Sequence, residues 1–228
     1  MIDIAENARR VRAQIAEAAI AAGRDPAEIT LLAATKTQPS EAIAAALPFV
    51  DACGENRVQE FLEKKDGAYG SVPVHFIGHL QTNKVKYLVG QVALIHSVES
   101  ERLAAEIGRR AEALGLRQPC LLEVNIGAEE NKRGCAVGEL PALAAYAAGL
   151  PGLDVRGLMT VPPIGTPEEA DGWFARMKEL YDRLAPAYGY TVLSMGMSGD
   201  FPAAVRRGAT VVRVGTAIFG PRDYGPAR

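Results

Sequence analysis

Short apolar segments alternate with longer amphipathic segments along most of the chain. The short segments predict eight β-strands, at residues 30–36, 49–54, 74–79, 92–97, 120–126, 154–160, 191–196 and 210–214. The amphipathic segments predict helices near residues 39–47, 57–65, 83–89, 100–115, 139–149, 167–186 and 200–207. Strands that alternate with helices in this way are typical of an α/β fold with a parallel sheet.

An additional amphipathic helix precedes the first strand. Asp3 is a candidate N-cap with Glu6 three residues later, and apolar residues then recur at helical spacing as far as Gly23. Eight strand–helix units predict a (β/α)8 TIM barrel that forms a single domain over residues 1–228. The tail, residues 216–228, is too rich in proline and glycine for a full eighth helix, so the N-terminal helix could cover that gap. An open doubly wound sheet is the alternative, but the first strand lacks its Gly-x-Gly-x-x-Gly turn.

Charge and hydropathy restrict the partners that this chain can have. Its 25 basic and 27 acidic residues are intermingled, and the net charge is -2, so no surface for nucleic acid or for an anionic membrane is indicated. No apolar stretch is long enough to cross a membrane, and residues 1–6 are acidic where a signal peptide would be basic. We therefore expect a cytoplasmic monomer that binds a small molecule and neither nucleic acid nor membranes.

The cysteines and histidines do not indicate a metal site. Cys53, Cys120 and Cys135 are far apart and form no Cys-x-x-Cys pair, so we expect reduced structural thiols. His75 and His79 stand four residues apart in a predicted strand, and no third ligand lies near them in sequence. We expect His79 to line a pocket instead.

Lys36 ends the first predicted strand, directly before a helix that starts near Pro39. An amine in apolar surroundings loses hydration, and its pKa falls, which favours the free base that adds to an aldehyde or a ketone. Lys36 is therefore a candidate Schiff-base lysine. The alternative is a strand-terminal lysine that extends its ammonium group into water.

In a TIM barrel the chemistry lies at the carboxyl ends of the strands. Strands two to six end in Gly54-Glu55-Asn56, His79, Ser97, Asn125 and Thr160. The loops after strands seven and eight are the usual phosphate site of this barrel, and both are built from small residues. Those small residues are Ser198, Gly199, Gly215 and Thr216. Asp200 is the expected cap of the helix that follows, and together these features predict a monophosphate site, although such turns can also be simple connections.

Arg213 lies within the apolar eighth strand, Val211-Val212-Arg213-Val214. A guanidinium there is costly unless it donates to a definite acceptor, which could be a phosphate or a ring nitrogen. If a pyridoxal phosphate ring is attached to Lys36, an arginine at its pyridine nitrogen keeps that atom unprotonated and weakens the ring as an electron sink. Pairing with a buried carboxylate is the alternative role.

The chain resembles the pyridoxal phosphate homeostasis protein family, also called the YggS or PROSC family, nearly from end to end. The resemblance is carried by Ala34-Thr35-Lys36-Thr37-Gln38-Pro39, Gly54-Glu55-Asn56-Arg57-Val58-Gln59-Glu60, residues 75–84, Asn131-Lys132-Arg133-Gly134, Gly157-Leu158-Met159-Thr160, Gly196-Met197-Ser198-Gly199-Asp200 and residues 213–220. It implies a fold similar to the barrel domain of alanine racemase. Several such blocks in the same order make the resemblance specific.

The resemblance also implies a cofactor and the residues that bind it. Pyridoxal phosphate would form an internal aldimine with Lys36, with Arg213 at the pyridine nitrogen and Asn56 near the ring. Its phosphate would be bound by Ser198, Gly199, Gly215 and Thr216. The family is regarded as a carrier or regulator of vitamin B6 pools and not as an enzyme, so no catalytic residue is expected, and apo-enzymes that need the cofactor would be its recipients.

This chain departs from the family pattern at three positions. Gln38, Cys53 and Arg57 stand where lysine, phenylalanine and tyrosine are more typical. Gln38 removes an amine that could accept the aldehyde in a transfer step, which places any relay through that position in doubt.

Two enzymatic functions remain as alternatives to the carrier. A racemase or decarboxylase would use the same attachment to Lys36, but racemisation needs two bases on opposite faces of the substrate carbon, and no second base is evident. A cofactor-free aldolase would use Lys36 on a phosphosugar with a carboxylate inside the barrel, for which only Glu55 is evident at a strand end.

Overall fold

The computed structural model describes residues 2–129 and 131–221 as a sheet surrounded by helices. The strands are β1 (Thr30–Ala34), β2 (Ala52–Glu55), β3 (Val74–Phe76), β4 (Leu94–Val98), β5 (Gln118–Asn125), β6 (Cys135–Ala136), β7 (Leu153–Met159), β8 (Val192–Ser194) and β9 (Val211–Val214). The α-helices are α1 (Ile4–Ala21), α2 (Ser40–Ala46), α3 (Val58–Lys64), α4 (Glu101–Ala113), α5 (Leu140–Ala148), α6 (Pro167–Tyr188), α7 (Phe201–Arg206) and α8 (Thr216–Phe219). Short 3-10 helices cover Pro26–Glu28, Leu47–Phe49 and Thr82–Tyr87.

All strands except β6 form a closed parallel barrel. The sheet runs in the order β4-β3-β2-β1-β9-β8-β7-β5, and the pairing of β4 with β5 closes it. This confirms the (β/α)8 barrel predicted from the sequence. The additional strand β6 is only two residues long and pairs with Val124 and Asn125 at the end of β5. Such a short strand has no periodicity that could have predicted it.

Alternation along the strands separates an inner core from an outer core. In β1, Leu31 and Ala33 belong to the large cluster that packs the strands against the helices. Leu32 belongs to a separate cluster with Ala52 and Val211. Because successive side chains point to opposite faces of a sheet, Leu32 and Ala34 face the barrel interior. The same alternation directs residue 36 towards the carboxyl-end mouth of the barrel.

Helix α1 occupies the place of a full eighth helix. The side chain of Asp3 accepts a hydrogen bond from the Glu6 amide at 2.9 Å, as its predicted capping role requires. The helix contacts α2, α7 and α8, and the side-chain amide of Asn7 donates to the Ile218 carbonyl at 3.0 Å. Since α8 has only four residues, the expected gap exists, and α1 covers it. Residues 222–228 of the predicted tail lie outside the described residues.

Two elements differ from their predicted form. The segment predicted as a helix at 83–89 is a 3-10 helix at Thr82–Tyr87. The buried residues of the predicted segment, Val85, Leu88 and Val89, are three residues and then one residue apart. This spacing is compatible with a 3-10 turn as well as with an α-helix. The second strand begins at Ala52 and not at residue 49, because Leu47–Phe49 form a 3-10 turn in which Pro48 has no amide proton for a strand ladder.

In the part of the chain that the structure describes, no helix combines the length and the apolar character needed to cross a membrane. The longest helix, α6, begins with a capping box between Thr166 and Glu169 and carries charged residues along its exposed side.

We predict that Ile15→Ala destabilises the protein by about 2–5 kcal/mol, because it removes a fully buried side chain from the α1 interface. Urea unfolding at neutral pH measures the loss. The matched control is Ile20→Ala in the same helix, where the side chain is 66% exposed and the expected change is below about 0.5 kcal/mol. Equal, small losses for both variants would mean that α1 does not pack on the barrel in solution.

Candidate functional site

A cavity of about 460 Å³ opens at the carboxyl ends of β1, β2, β8 and β9. It is lined by Ala34, Lys36, Asn56, Ile77, Val161, Met197, Ser198, Gly199, Arg213, Gly215 and Thr216. The structure therefore brings all seven residues predicted to bind a cofactor to one cavity. A second cavity of about 460 Å³ lies beside the amino ends of β3 and β4, where barrels of this type carry no active site.

Lys36 reaches the cavity from a tight turn after β1. The Thr35 amide donates to the Gly54 carbonyl at 3.0 Å, which extends the pairing of β1 with β2 to the residue before Lys36. The Gln38 amide then donates to the Thr35 carbonyl at 3.1 Å and closes the turn. Lys36 is partly buried and lines the cavity, so its side chain is not the simple solvent extension considered above.

Ser198 joins the two glycine-containing loops. Its Oγ accepts hydrogen bonds from the amides of Gly215 at 3.1 Å and Ala217 at 3.2 Å. Because both bonds use the oxygen as acceptor, the Ser198 hydroxyl proton is left to donate elsewhere. Gly199 has open space where a Cβ would lie, and Thr216 begins α8 at the rim of the cavity. The junction is uncharged and presents hydrogen-bond donors.

Asp200 does not play the predicted capping role. It occupies the N-cap position of α7, but its side chain makes no capping hydrogen bond to that helix. Its Oδ1 accepts instead from the Met197 amide at 2.5 Å, within the preceding turn. The carboxylate therefore shapes the loop that carries Ser198 and Gly199. Burial raises the pKa of Asp200, against the opposing effects of the Met197 amide and the Arg213 charge.

Arg213 forms the floor of the cavity. It is 5% exposed, and its Nη1 and Nη2 donate to Ser194 Oγ at 2.7 Å and to the Thr160 carbonyl at 2.9 Å. Its acceptors are thus neutral, and the predicted alternative of a carboxylate pair does not apply to these contacts. Burial lowers the pKa of Arg213 to about 10, with Glu123 and Asp200 acting in the opposite direction. The guanidinium therefore stays charged at neutral pH.

A chain of hydrogen bonds inside the barrel continues from Arg213. Ser194 Oγ lies 3.1 Å from His96 Nδ1, and His96 Nε2 lies 3.0 Å from His75 Nδ1. Burial lowers the pKa of His75 to about 4 and that of His96 well below its ordinary value. Both imidazoles are therefore neutral near pH 7. The sequence predicted Ser97 as the polar end of this strand, but Ser97 Oγ is buried without a hydrogen-bond partner among the described residues, and His96 faces the interior.

Glu55 and His79 do not take their predicted roles, and one buried carboxylate was not predicted. Glu55, the suggested aldolase acid, lies at 0% exposure between β2 and α3, bonded to Lys64 and not lining the cavity. Glu123, which the sequence interpretation missed, is buried inside the barrel, and burial followed by the Glu99 charge raises its pKa to about 7. His79 was expected to line a pocket, but it does not line this cavity. Its Nδ1 lies 3.4 Å from Glu99 Oε1.

Asn56 presents an unsatisfied acceptor at the cavity. Its Oδ1 is buried and has no hydrogen-bond partner among the described residues. Its backbone is fixed by Gly78, where a Cβ would lie 2.1 Å from the Asn56 carbonyl oxygen. A buried acceptor without a partner is costly, so a ligand group that donates a hydrogen bond would be favourable here. Among the described residues, no group of three or more His, Cys, Asp or Glu side chains could hold a metal ion.

Comparison with known proteins identifies the family. A relative from Aquifex aeolicus, named pyridoxal phosphate homeostasis protein, is 45% identical over 224 residues, which cover 96% of this chain and 98% of the relative. A protein of the same name from Pseudomonas aeruginosa is 44% identical over 231 residues, which cover 99% of this chain and 98% of that protein. The chain belongs to the pyridoxal phosphate homeostasis protein family. This confirms the resemblance that the sequence blocks indicated.

The fold comparison agrees with this family. The profile described as the alanine racemase N-terminal domain matches residues 3–223. The solved structure of PipY from Synechococcus elongatus PCC7942, with PLP bound, superposes with a TM-score of 0.81 at 33% identity and covers 95% of this chain and 100% of PipY. The barrel fold is therefore shared with that solved structure.

We predict that His75→Gln makes stability less sensitive to acid. In the wild type, the unfolded chain takes up a proton near pH 6.5 while folded His75 resists it until about pH 4, so stability falls as the pH is lowered between these values. The contribution is at most about 1.4 kcal/mol per pH unit. Carboxyl groups with raised pKa values act in the opposite direction in both proteins, so the test is the difference between the two curves.

Urea unfolding at several pH values from 7 to 4 measures that difference. The wild-type curve should fall more steeply than the His75→Gln curve below pH 6.5. Parallel curves would show that His75 takes up its proton in the folded barrel as readily as in the unfolded chain.

Proposed function

We propose that this chain binds pyridoxal phosphate covalently through Lys36 and acts as a carrier or buffer of the cofactor without catalysing a reaction of its own. The observation that carries this proposal is the meeting of Lys36, Arg213 and the Ser198 junction in one cavity. A protein can hold this cofactor through an amine for its aldehyde, donors for its phosphate and a polar partner such as arginine for its ring nitrogen. The family name and the PLP-bound PipY structure support the same choice of ligand.

The loop junction fits a phosphate group. The Ser198 hydroxyl has a proton to donate because its oxygen already accepts from two amides. Gly199 and Gly215 keep the backbone accessible, and Thr216 adds a hydroxyl and the amide of a first helical turn. A monophosphate would be held there by uncharged donors.

The floor and the wall of the cavity fit the ring. Arg213 is a donor without acceptor capacity, and its bonds to Ser194 and Thr160 fix its orientation. A ring nitrogen that faces it is kept as an acceptor and is not protonated. Asn56 Oδ1 is a buried acceptor that a ring hydroxyl can satisfy.

The cavity lining favours a carrier over an enzyme. When bound, pyridoxal phosphate supplies an aldehyde carbon and a pyridine ring that can take up electron density. Lys36 and Arg213 are the ionisable side chains among the described lining residues, and Arg213 keeps its proton at neutral pH. Lys36 is thus the proton-transfer group of the lining, whereas racemisation needs a second base on the opposite face. Arg213 also weakens the electron sink on which decarboxylation depends.

A carrier must release its cargo, and its recipients would be apo-enzymes that depend on the cofactor. Attachment to one lysine is reversible by transfer to another amine, so no additional catalytic group is required for delivery. The carrier is expected to act as a monomer, since each chain contains all of the proposed binding residues.

The deciding experiment is borohydride reduction of the protein loaded with pyridoxal phosphate, followed by intact mass and peptide mapping. We expect one added cofactor, located on Lys36, and a visible absorption band that is absent from Lys36→Ala. The control is Lys84→Ala, which removes an exposed lysine and should load normally. The proposal would be excluded if the cofactor were attached to another residue. It would also be excluded if the protein did not bind the cofactor and instead formed a reducible adduct with a phosphosugar.

Carrier and enzyme are distinguished by turnover. Loaded protein should restore activity to an apo-enzyme in a coupled assay and should show no sustained racemisation or decarboxylation of single amino acids. Racemisation at an enzyme-like rate would make the racemase the better assignment.

We predict that Ser198→Ala weakens binding of pyridoxal phosphate about tenfold, because one hydrogen bond to a charged group is worth about 1.5 kcal/mol. Absorbance titration of the apo-protein measures the affinity, and Ser71→Ala at an exposed loop position is the control. Repeating the titration with pyridoxal, which has no phosphate, should abolish the difference. An equal loss for both ligands would assign Ser198 a role in loop structure only.

A further inference from the structure

We propose that Lys64 and Glu60, supported by buried Glu55, position the turn that presents Lys36 to the cavity. The inference rests on the proposed attachment of the cofactor to Lys36. None of the three residues lines the cavity. They act through the backbone on either side of Lys36, which makes them positioning residues and not catalytic ones.

Lys64 holds the residue that precedes Lys36. Its Nζ donates to the Thr35 carbonyl at 2.9 Å, to Glu60 Oε1 at 2.6 Å and to Glu55 Oε1 at 3.1 Å. An ammonium group has three protons, so these three acceptors use all of them. The side chain is only 12% exposed, so solvent competes little with these bonds. The end of α3 is thereby tied to the end of β1.

Glu60 holds the residue that follows Lys36. Its Oε1 accepts a hydrogen bond from the Thr37 amide while also accepting from Lys64. Thr37 has a φ of +65°, in the left-handed region that a β-branched residue rarely adopts because of steric strain. The hydrogen bond to Glu60 therefore stabilises a backbone conformation that Thr37 would otherwise leave.

Glu55 anchors the other two residues from inside the protein. Its Oε1 accepts from Thr35 Oγ1 at 2.7 Å and from the Tyr69 hydroxyl at 3.0 Å, in addition to Lys64. Burial raises the pKa of Glu55, whereas the Thr35 hydroxyl and the Lys64 charge favour its ionised form. Lys64 and Glu55 are therefore both desolvated, and each compensates the charge of the other.

The arrangement fixes both neighbours of Lys36, whose side chain lines the cavity. Thr35 is held through its carbonyl and hydroxyl, and Thr37 is held through its amide. An aldehyde can bind covalently only when the amine lies close to the carbonyl carbon. Because the turn is already ordered, its conformational entropy is not lost at the attachment step. Loosening the turn should slow attachment without altering the phosphate junction on β8 and β9.

The test compares Lys64→Met and Glu60→Ala with the wild type. Both should lower the rate of pyridoxal phosphate attachment and the apparent affinity by about tenfold, measured from the growth of the visible band. Glu60→Gln, which keeps an oxygen acceptor for Thr37, should recover most of the rate. The matched control is Lys65→Met, next to Lys64 but with a side chain that is 35% exposed and pairs only with Asp66 in the described structure, and it should behave as the wild type.

A second measurement does not need the cofactor. Hydrogen exchange of the apo-protein should show faster exchange of the Thr37 amide in Lys64→Met and Glu60→Ala, with no change at the amides of Gly215 and Ala217. Urea unfolding shows whether a variant is globally destabilised, and Glu60→Ala, at a helical position where alanine is favourable, keeps the test valid if Lys64→Met folds poorly.

The outcomes separate this inference from the proposed function. If wild-type protein loads at Lys36 but both variants load as fast as Lys65→Met and keep slow exchange at Thr37, the positioning role is wrong. If the wild type does not load at Lys36 at all, the proposed function is wrong, while faster exchange at Thr37 in the variants would still support the role in ordering the turn.

Discussion

The burial of one guanidinium group inside a closed barrel is the constraint that organises the interior. Arg213 is almost fully buried, and a charge in that position is stable only when its donors are matched by fixed acceptors. Ser194 and the Thr160 carbonyl supply those acceptors, and Ser194 is held in turn by the neutral imidazole of His96. The polar layer of the barrel therefore supports a fixed positive floor beneath the cavity.

The first and the last strands meet at this floor because they are neighbours in the barrel. The register of β1 and β9 places Leu32 beside Arg213 and Ala33 beside Val214. Gly215 then lies against Ala34, at the distance of ordinary contact for a Cβ. The first and the last strands of the sheet thus bring the amine of one loop and the donors of another to the same cavity. Helix α1 secures that junction from outside, where the eighth helix of the barrel is only a single turn.

The sequence allowed the barrel and the cavity residues to be predicted because both depend on local patterns. Apolar runs that end in a polar residue mark the carboxyl ends of strands, and this rule indicated Lys36 and Asn56, whereas Arg213 stood out as a charge inside an apolar strand. The role of Glu55 was not predictable in the same way. Glu55 stands at the end of β2, but the alternation of side chains from Cys53, which packs in the outer core, turns its side chain away from the barrel interior.

The residues that were missed have contacts distant in sequence. His96 and Ser194 are 98 residues apart and make sense only once the barrel is closed. Glu123 stands in an apolar run, as Arg213 does, and the same signal could have found it. The hydrogen bonds of Lys64 and Glu60 to the Lys36 turn depend on the left-handed conformation of Thr37, which nothing in the local residue types predicts.

The three cysteines have a consequence for the proposed binding of a reactive aldehyde. All of them are buried, and burial raises the pKa of Cys53 and of Cys135 to about 12 and raises the pKa of Cys120 as well. Thiolates compete with amines for carbonyl carbons, but thiols that stay protonated inside the outer core react poorly. Buried, protonated thiols are poor nucleophiles, so amines are the side chains that would react with an aldehyde bound as proposed.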